Sequence, residues 1–338
     1  NLEHKLGINA SPTCVMSFGD NDECIGELIG AENRGLAAMF TMMNNARINV
    51  GSQGVQIAER ATQQAMAFAA DRIQSSRAGS PDRTPVAIAE HPDVRRMLLR
   101  MKSLTEAARA LLYYTTGQVD RGTLGDEAAG LRGETLVPMI KAWGTDTGID
   151  VASIGVQIHG GMGFIEETGA AQFMRDARIT TIYEGTTGIQ ANDLIGRKLI
   201  RDSGAQMQLL LAEMNQTQSQ LLLAGDDFAL QAQALKQGID QLDDVCQWVL
   251  SHYKEDARLP GAASFNLLML AGTVAGGWLM SKAALIAKQK QSDDEAFYKA
   301  KQLTAQFYAE QIMPRAASYA AAAKAGTQTL MAMDDDLF

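Results

Sequence analysis

Cysteine is scarce. The 338 residues hold three, Cys14, Cys24 and Cys246, unevenly spaced and without a C-x-x-C pair. That excludes a disulfide framework and a cysteine-based zinc site, and it fits a reducing, cytoplasmic setting. Aromatic residues are also few, at 6%, against 46% hydrophobic residues overall and 17 methionines. A core built from Met, Ala and Leu favours packed helices over sheets, and a chain of this length buries enough for two domains. Positive charge is in deficit: 30 Lys and Arg against 39 Asp and Glu, a net −9. A nucleic-acid partner is disfavoured, because phosphate binding runs on Lys and Arg. No apolar run reaches the ~18 to 20 residues of a membrane span, and no signal peptide is evident. The chain opens on Asn1, and its first residues read as the middle of something longer.

What is present reads mainly as helix. Residues 13–18 and 24–29 are strand-like, separated by the turn residues Gly19-Asp20-Asn21-Asp22. From Ala31 to about Ser75, Leu36, Met39, Phe40, Met43, Val50 and Val55 recur near helical spacing. Gly51 and Gly54 would weaken that helix in isolation, so they imply a closely packed neighbour. Ser75 to Glu90 is expected to be a loop. Pro92 opens a second helix, with Met97, Leu98, Met101, Leu104, Leu111 and Leu112 on one face. After a polar connection over Gly117–Gly133, a third helix runs through Pro138, Trp143 and Val151 to a stop at Gly160-Gly161. Beyond Gly204 the composition shifts to Gln, Leu and Ala, and three further apolar stripes follow. One is Phe228 to Val249, another lies around Trp278, and the third runs from Phe297 and Leu303 to Ile312. The fold class is therefore all-α: a four-helix bundle over residues 30–203 and a second helical domain over 204–338.

The chemistry concentrates at Ile182-Tyr183-Glu184-Gly185-Thr186-Thr187-Gly188-Ile189-Gln190. Gly185 permits an unusual backbone angle there, and Thr186 is a good N-cap for the next helix. Flanking Ile182, Tyr183 and Ile189 are expected to carry Glu184 into apolar surroundings, raising its pKa as a general base requires. A Glu at a helix start also serves simply as the complement of the helix dipole. Upstream, Gly160-Gly161-Met162-Gly163 lacks the G-x-G-x-x-G spacing of a Rossmann turn, yet bare backbone lets a flat or charged group approach. His159, just before it, reads as a structural histidine.

Three blocks in close order carry a resemblance: Val156-Gln157-Ile158-His159-Gly160-Gly161-Met162-Gly163-Phe164, Met174-Arg175-Asp176-Ala177-Arg178, and Ile182-Tyr183-Glu184-Gly185-Thr186 with Ile189-Gln190. Together they resemble the acyl-CoA dehydrogenases, from about Leu6 to Arg201 and more loosely to the C-terminus, where the longer bacterial members carry an extra helical domain. The resemblance implies FAD as cofactor, an acyl-CoA substrate, and an electron-transfer flavoprotein as acceptor. It also implies a homo-oligomer and no metal. It makes Glu184 the base that takes the α-proton, with Arg47, Tyr183 and Gly185 at the substrate. Arg72, Gln74, Gln157, Gly160, Gly161 and Thr186 are placed at the flavin, Arg72 and Gln74 across a subunit or pseudo-subunit interface. Arg47 and Arg72 lie 25 residues apart on one helix, ~37 Å, and cannot serve one small site in one subunit. Residues 1–29 would be the remnant of a middle β-domain, which makes the chain a fragment expected to be inactive alone. Gly188 stands where short-chain relatives commonly carry Gln, and Asn44 where several carry Asp. Two other readings remain: a non-catalytic helical scaffold, and a nucleic-acid-binding relative with a basic last domain. Residues 201–338 hold 11 Lys and Arg against 16 Asp and Glu, which is the wrong sign for the latter.

Overall fold

Three long helices carry the first half of the chain: α1 (Gly35–Asp71), α2 (Pro92–Thr123) and α3 (Glu127–His159). The computed structural model describes residues 1–337, apart from the side chains of Ala37, Phe40 and Thr41. The expected stripe position Phe40 therefore lies outside the described side chains.

Helices α1 and α3 run parallel in backbone contact. A Cβ on Gly54 would sit 2.8 Å from the Gly144 carbonyl oxygen, and one on Gly148 would sit 2.7 Å from that of Gly54. Further along, a Cβ on Gly155 would meet Ala61, and the Phe68 and His159 rings pack 4.4 Å apart. Helix α2 returns antiparallel. Its end meets the start of α3 at Gly122 and Gly130, and its Arg100 pairs with Asp150 at 2.6 Å. The expected polar connection at Gly117–Gly133 is thus corrected. Residues 117–123 finish α2, 127–133 begin α3, and only Leu124–Asp126 turns, with the Asp126 carboxylate accepting from the Ala129 N–H. Gly122, Gly130 and Gly133 of that stretch are contact residues between the two helices, whereas Gly117 has open space around it.

The expected strands at 13–18 and 24–29 are a second correction. Among the described residues, the N-terminal segment has only the isolated bridge Leu2–Cys14, and residues 9–36 are exposed. The pattern there is strand-like, but its pairing stops at the bridge, where Thr13 and Val15 exchange backbone hydrogen bonds with Glu3 and Asn1, and no strand builds on it. The two strands that do form, β1 (Ile73–Ser76) and β2 (Pro85–Ala87), lie in the stretch expected to be loop and pair antiparallel.

A short helix α4 (Ala170–Ala177) leads through a 3-10 turn, residues 178–181, to the Glu184 turn and α5 (Thr187–Ile195). Helix α5 continues as one π-helical turn, residues 196–200. The second half comprises α6 (Ala205–Leu223), α7 (Ala229–His252), α8 (Leu259–Gln289), α9 (Glu295–Gln311) and α10 (Arg315–Ala323). Phe297 and Leu303, placed on an inward stripe by spacing, are exposed; Thr304, Ala305 and Tyr308 point inward instead.

Helix α8 is the second half's axis. By length and mean hydropathy (1.4) it is apolar enough to cross a membrane, contrary to the sequence expectation, and 89% of its apolar window is buried inside the fold. It packs against α2, α3 and α5 as well as α6, α7, α9 and α10, so one hydrophobic core runs from Ile48 to Ala323. Trp143 of α3 presses on Gly272, and buried Trp278 donates from Nε1 to Thr217 Oγ1 at 2.8 Å. Burial pushes the Cys246 thiol well above its ordinary range, so this cysteine is a core residue.

Gly54→Ala gains helix propensity, about 1 kcal/mol, yet drives a methyl into α3 backbone that cannot move aside. Net loss should be about 1 to 2 kcal/mol in urea unfolding. Gly117→Ala in α2, with open space around its Cβ, should instead stabilise by up to ~1 kcal/mol.

Candidate active site

Glu184 and Gly185 both take left-handed backbone angles, φ 54° and 91°. For Gly185 this is easy; a side chain there would also meet Gln190 Nε2 at 2.6 Å. For Glu184 the conformation is strained and must be held by its surroundings. Thr186 caps α5, its Oγ1 accepting from the Ile189 N–H at 3.2 Å. Glu184 is exposed, and among the described residues neither its carboxylate nor its N–H has a hydrogen-bond partner.

The apolar enclosure expected around Glu184 is not there. Glu184 is exposed, and Ile182 and Ile189 are 46% and 51% exposed. They flank the turn on its outer side, and Tyr183 turns its hydroxyl to Gln53 of α1. Beside Ile182, a cavity of about 270 Å³ lies between α4 with its 3-10 turn and the N-terminal segment Lys5–Ile8. The Ile8 N–H holds that segment in place by donating to Asp176 at 2.6 Å.

Beneath the turn is a side chain that sequence reading passed over. Lys141 on α3 is fully buried, and its ammonium donates to the carbonyl oxygens of Thr180, at 2.9 Å, and Gly185, at 2.5 Å. Gln190, also fully buried, reaches the same Gly185 oxygen at 3.4 Å. One turn further along α3, Asp146 accepts from Thr187 Oγ1 at 3.1 Å. Burial pulls the Lys141 pKa down from 10.5 to about 8; the Arg47 charge adds to this, while Asp146 and Glu184 oppose it. Burial likewise holds the Asp146 carboxyl above its ordinary range. A folded pKa below the unfolded one makes charged Lys141 a stability cost. That cost is present in full below pH 8 and is relieved as the pH rises towards 10.5. The available signal was charge pattern: Lys141 is the one charged residue between Glu134 and Asp146, in a stretch where Thr135–Thr145 are all buried.

Arg47 is tied to Asp193 of α5 at 2.9 Å, both side chains 8% exposed. The guanidinium that the resemblance assigns to substrate is thus engaged through Nη1 in an ion pair behind the turn, and its Nε is buried without a partner. Arg72 closes α1, exposed and with no side-chain partner among the described residues; Gln74 follows in β1. Because α1 and α3 run parallel, these two share one end of the pair with exposed Gln157, Gly160 and Gly161. His159 is buried there, its ring nitrogen 2.7 Å from the Gly155 carbonyl. That end lies 18 residues of α3 from Lys141, ~27 Å. The structure therefore gathers the candidate residues into two places. Glu184, Tyr183, Gly185, Thr186 and Arg47 form one; Arg72, Gln74, Gln157, Gly160 and Gly161 form the other. No group of three or more metal-binding side chains occurs among the described residues.

The family model described as "Acyl-CoA dehydrogenase, C-terminal domain" matches residues 33–200, and "Acetyl-CoA dehydrogenase C-terminal like" matches residues 210–334. The chain belongs to the acyl-CoA dehydrogenase family. Over 318 residues it is 46% identical to the 3-methylmercaptopropionyl-CoA dehydrogenase of Ruegeria pomeroyi, covering 92% of this chain and 54% of that protein. A butyryl-CoA dehydrogenase of Syntrophomonas wolfei is 33% identical over 334 residues, covering 93% and 54%. The chain thus spans about half the length of the curated relatives it matches. Two solved acyl-CoA dehydrogenase-type structures share the fold. The Bacillus anthracis acyl-CoA dehydrogenase complexed with FAD superposes with TM-score 0.67 at 23% identity, over 90% of this chain and 51% of that one. Caenorhabditis elegans ACDH-11 in complex with C11-CoA gives 0.73 at 19%, over 92% and 50%.

Removing one partner of a buried ion pair strands the other charge. Arg47→Met should cost about 3 kcal/mol in chemical unfolding, and adding Asp193→Leu should recover most of it. Failure of the double substitution to recover stability would show that the pair is not the main role of Arg47.

Proposed function

We propose that this chain carries the base-bearing helical part of an FAD-dependent acyl-CoA dehydrogenase, which converts an acyl-CoA thioester to its 2,3-enoyl-CoA. The observation that carries the reading is the Glu184 turn: an unpaired carboxylate and an open N–H, presented together from a left-handed backbone. A Glu184 carboxylate oxygen takes the proton from the α-carbon of the thioester. As negative charge moves onto the thioester oxygen, the Glu184 N–H is the donor available to stabilise it. Tyr183 and Gly185 shape the floor on which the acyl group lies.

The residues present suit a flavin dinucleotide. Arg72 offers an unpartnered guanidinium fork for pyrophosphate oxygens, and Gln74 and Gln157 offer amides beside it. Gly160, at φ 58°, and Gly161 have open space where a Cβ would stand, so backbone can approach the cofactor directly. When bound, FAD supplies the acceptor for the β-hydrogen that leaves as hydride. Thr186 is assigned to the flavin bound beside Glu184. The ~27 Å between the two groups supports a homo-oligomer, in which the Arg72 end of one chain serves a flavin held mainly by another. The exposed turn and the half-length match to relatives support a further reading, that this chain alone turns over no substrate; the acceptor proposed for the complete protein is an electron-transfer flavoprotein in the cytoplasm.

The complete protein tests this. Glu184→Gln keeps size and removes the proton acceptor, so flavin reduction by substrate should fall by roughly 10² to 10⁴, with flavin absorbance and acyl-CoA binding retained. Arg72→Ala should loosen FAD and leave the base intact. The substrate panel begins with 3-methylmercaptopropionyl-CoA and butyryl-CoA, from the names of the relatives. Wild-type reduction rates in Glu184→Gln would mean that this turn is not the catalytic centre.

A further inference from the structure

We propose that Lys141 is the positioning residue of the Glu184 turn: its buried ammonium grips the Thr180 and Gly185 carbonyls on either side of residues 181–184 and so holds Glu184 in its left-handed presentation. The inference deepens the dehydrogenase reading and rests on it for the chemistry; the grip itself is a matter of geometry. The two carbonyls, at 2.9 and 2.5 Å, bracket residues 181–184 where the chain leaves the 3-10 turn on its way to α5, and one charged group satisfies both. Glu184 at φ 54° has no hydrogen bond of its own to hold it there, so the constraint must come from its neighbours. A lysine buried without a carboxylate in hydrogen-bond contact is a costly arrangement, and a methionine of similar length would pack without that cost. Its use is therefore directional: an ammonium donates in several directions at once, and carbonyl oxygens are its natural acceptors.

The charge makes the grip pH-dependent. Charged-donor hydrogen bonds are roughly twice as strong as neutral ones, and the Lys141 pKa lies near 8. The groups facing it are Asp146 on its own helix, Arg47 on α1, Glu184 in the turn, Asp193 on α5 through its pair with Arg47, and Arg178 in the 3-10 turn through Asp146. Deprotonation of Lys141 leaves the two carbonyls with a neutral amine in place of the ammonium.

Amide hydrogen exchange reads the turn directly. The Ile182 and Tyr183 N–H groups both donate to the Ile179 carbonyl, at 2.9 and 3.1 Å, and α2 and α8 provide an internal reference. In the wild-type chain, titrated from about pH 6 to 10 and corrected for the intrinsic base-catalysed rate, these two amides should lose protection about tenfold with a midpoint near 8, while α2 and α8 stay unchanged. Lys141→Met should show the loosened turn at every pH. In the complete enzyme the same variant should lower flavin reduction about tenfold or more, with acyl-CoA affinity within about twofold. Lys141→Arg, charged across the range, should remove the transition near pH 8. If Lys141→Met does not fold, the wild-type titration decides without any substitution. Protection of Ile182 and Tyr183 that is flat with pH would overturn the proposal, as would protection lost in step with α2 and α8. If Glu184→Gln left flavin reduction intact while the turn still loosened near pH 8, the dehydrogenase reading would fail and the role of Lys141 in the turn would stand.

Discussion

The contact on which everything else depends is the parallel approach of α1 to α3, where glycine at 51, 54, 144 and 148 brings backbone against backbone. Larger side chains would push the helices apart, because 8 to 10 Å between axes is set by what stands at the crossing. With the axes this close, Gln53 of α1 reaches Tyr183, Arg47 reaches Asp193, and Lys141 reaches the underside of the turn. The same parallel register carries Arg72 to the end of α3 where Gly160 and Gly161 lie open. Two candidate regions thus follow from one packing contact, each at a different height on the same pair of helices.

A strained backbone residue at a site of chemistry needs rigid support. The Glu184 turn receives it from below and from the side, through Lys141, Gln190, Asp146 and the Thr186 cap, and is left free above. Under the turn the Lys141 ammonium and the Gln190 amide donate to backbone carbonyls and Asp146 accepts from Thr187, while Gln190 Oε1, Arg47 Nε and Asp193 Oδ1 are buried without a hydrogen-bond partner. Burying a lysine lowers the stability of the fold and raises its specificity, a trade that suits a turn whose exact conformation matters more than its contribution to the core.

The second half of the chain supports this arrangement through α8. Its small residues admit Trp143 of α3 and Tyr308 of α9, and the Tyr308 hydroxyl donates to the Thr273 carbonyl at 2.9 Å. That is why a helix apolar enough for a membrane sits inside the fold, and why residues 204–338 share one core with residues 30–203. The Asp and Glu residues of this half stay out of its core.

Much was legible in the residues alone, because local rules decide it. The long helices follow from apolar periodicity, the start of α2 from Pro92, the cap of α5 from Thr186, and the stop of α3 from Gly160. The three motif blocks, in order and at close spacing, carried the resemblance to the family. The strands were misplaced because a strand pattern states a preference, and only a partner strand satisfies it: Ile73–Ser76 found one, residues 13–18 did not. The glycines of residues 117–133 were misread because a sequence cannot say whether a missing side chain serves a turn or a close crossing. Most of all, the roles of Lys141 and Asp193 had no local signature beyond the lone charge of Lys141 in an apolar stretch, since a buried charge is explained only by the groups it meets. Those groups, Gly185 and Arg47, lie 44 and 146 residues away in the chain, and tertiary packing alone brings them within hydrogen-bond reach.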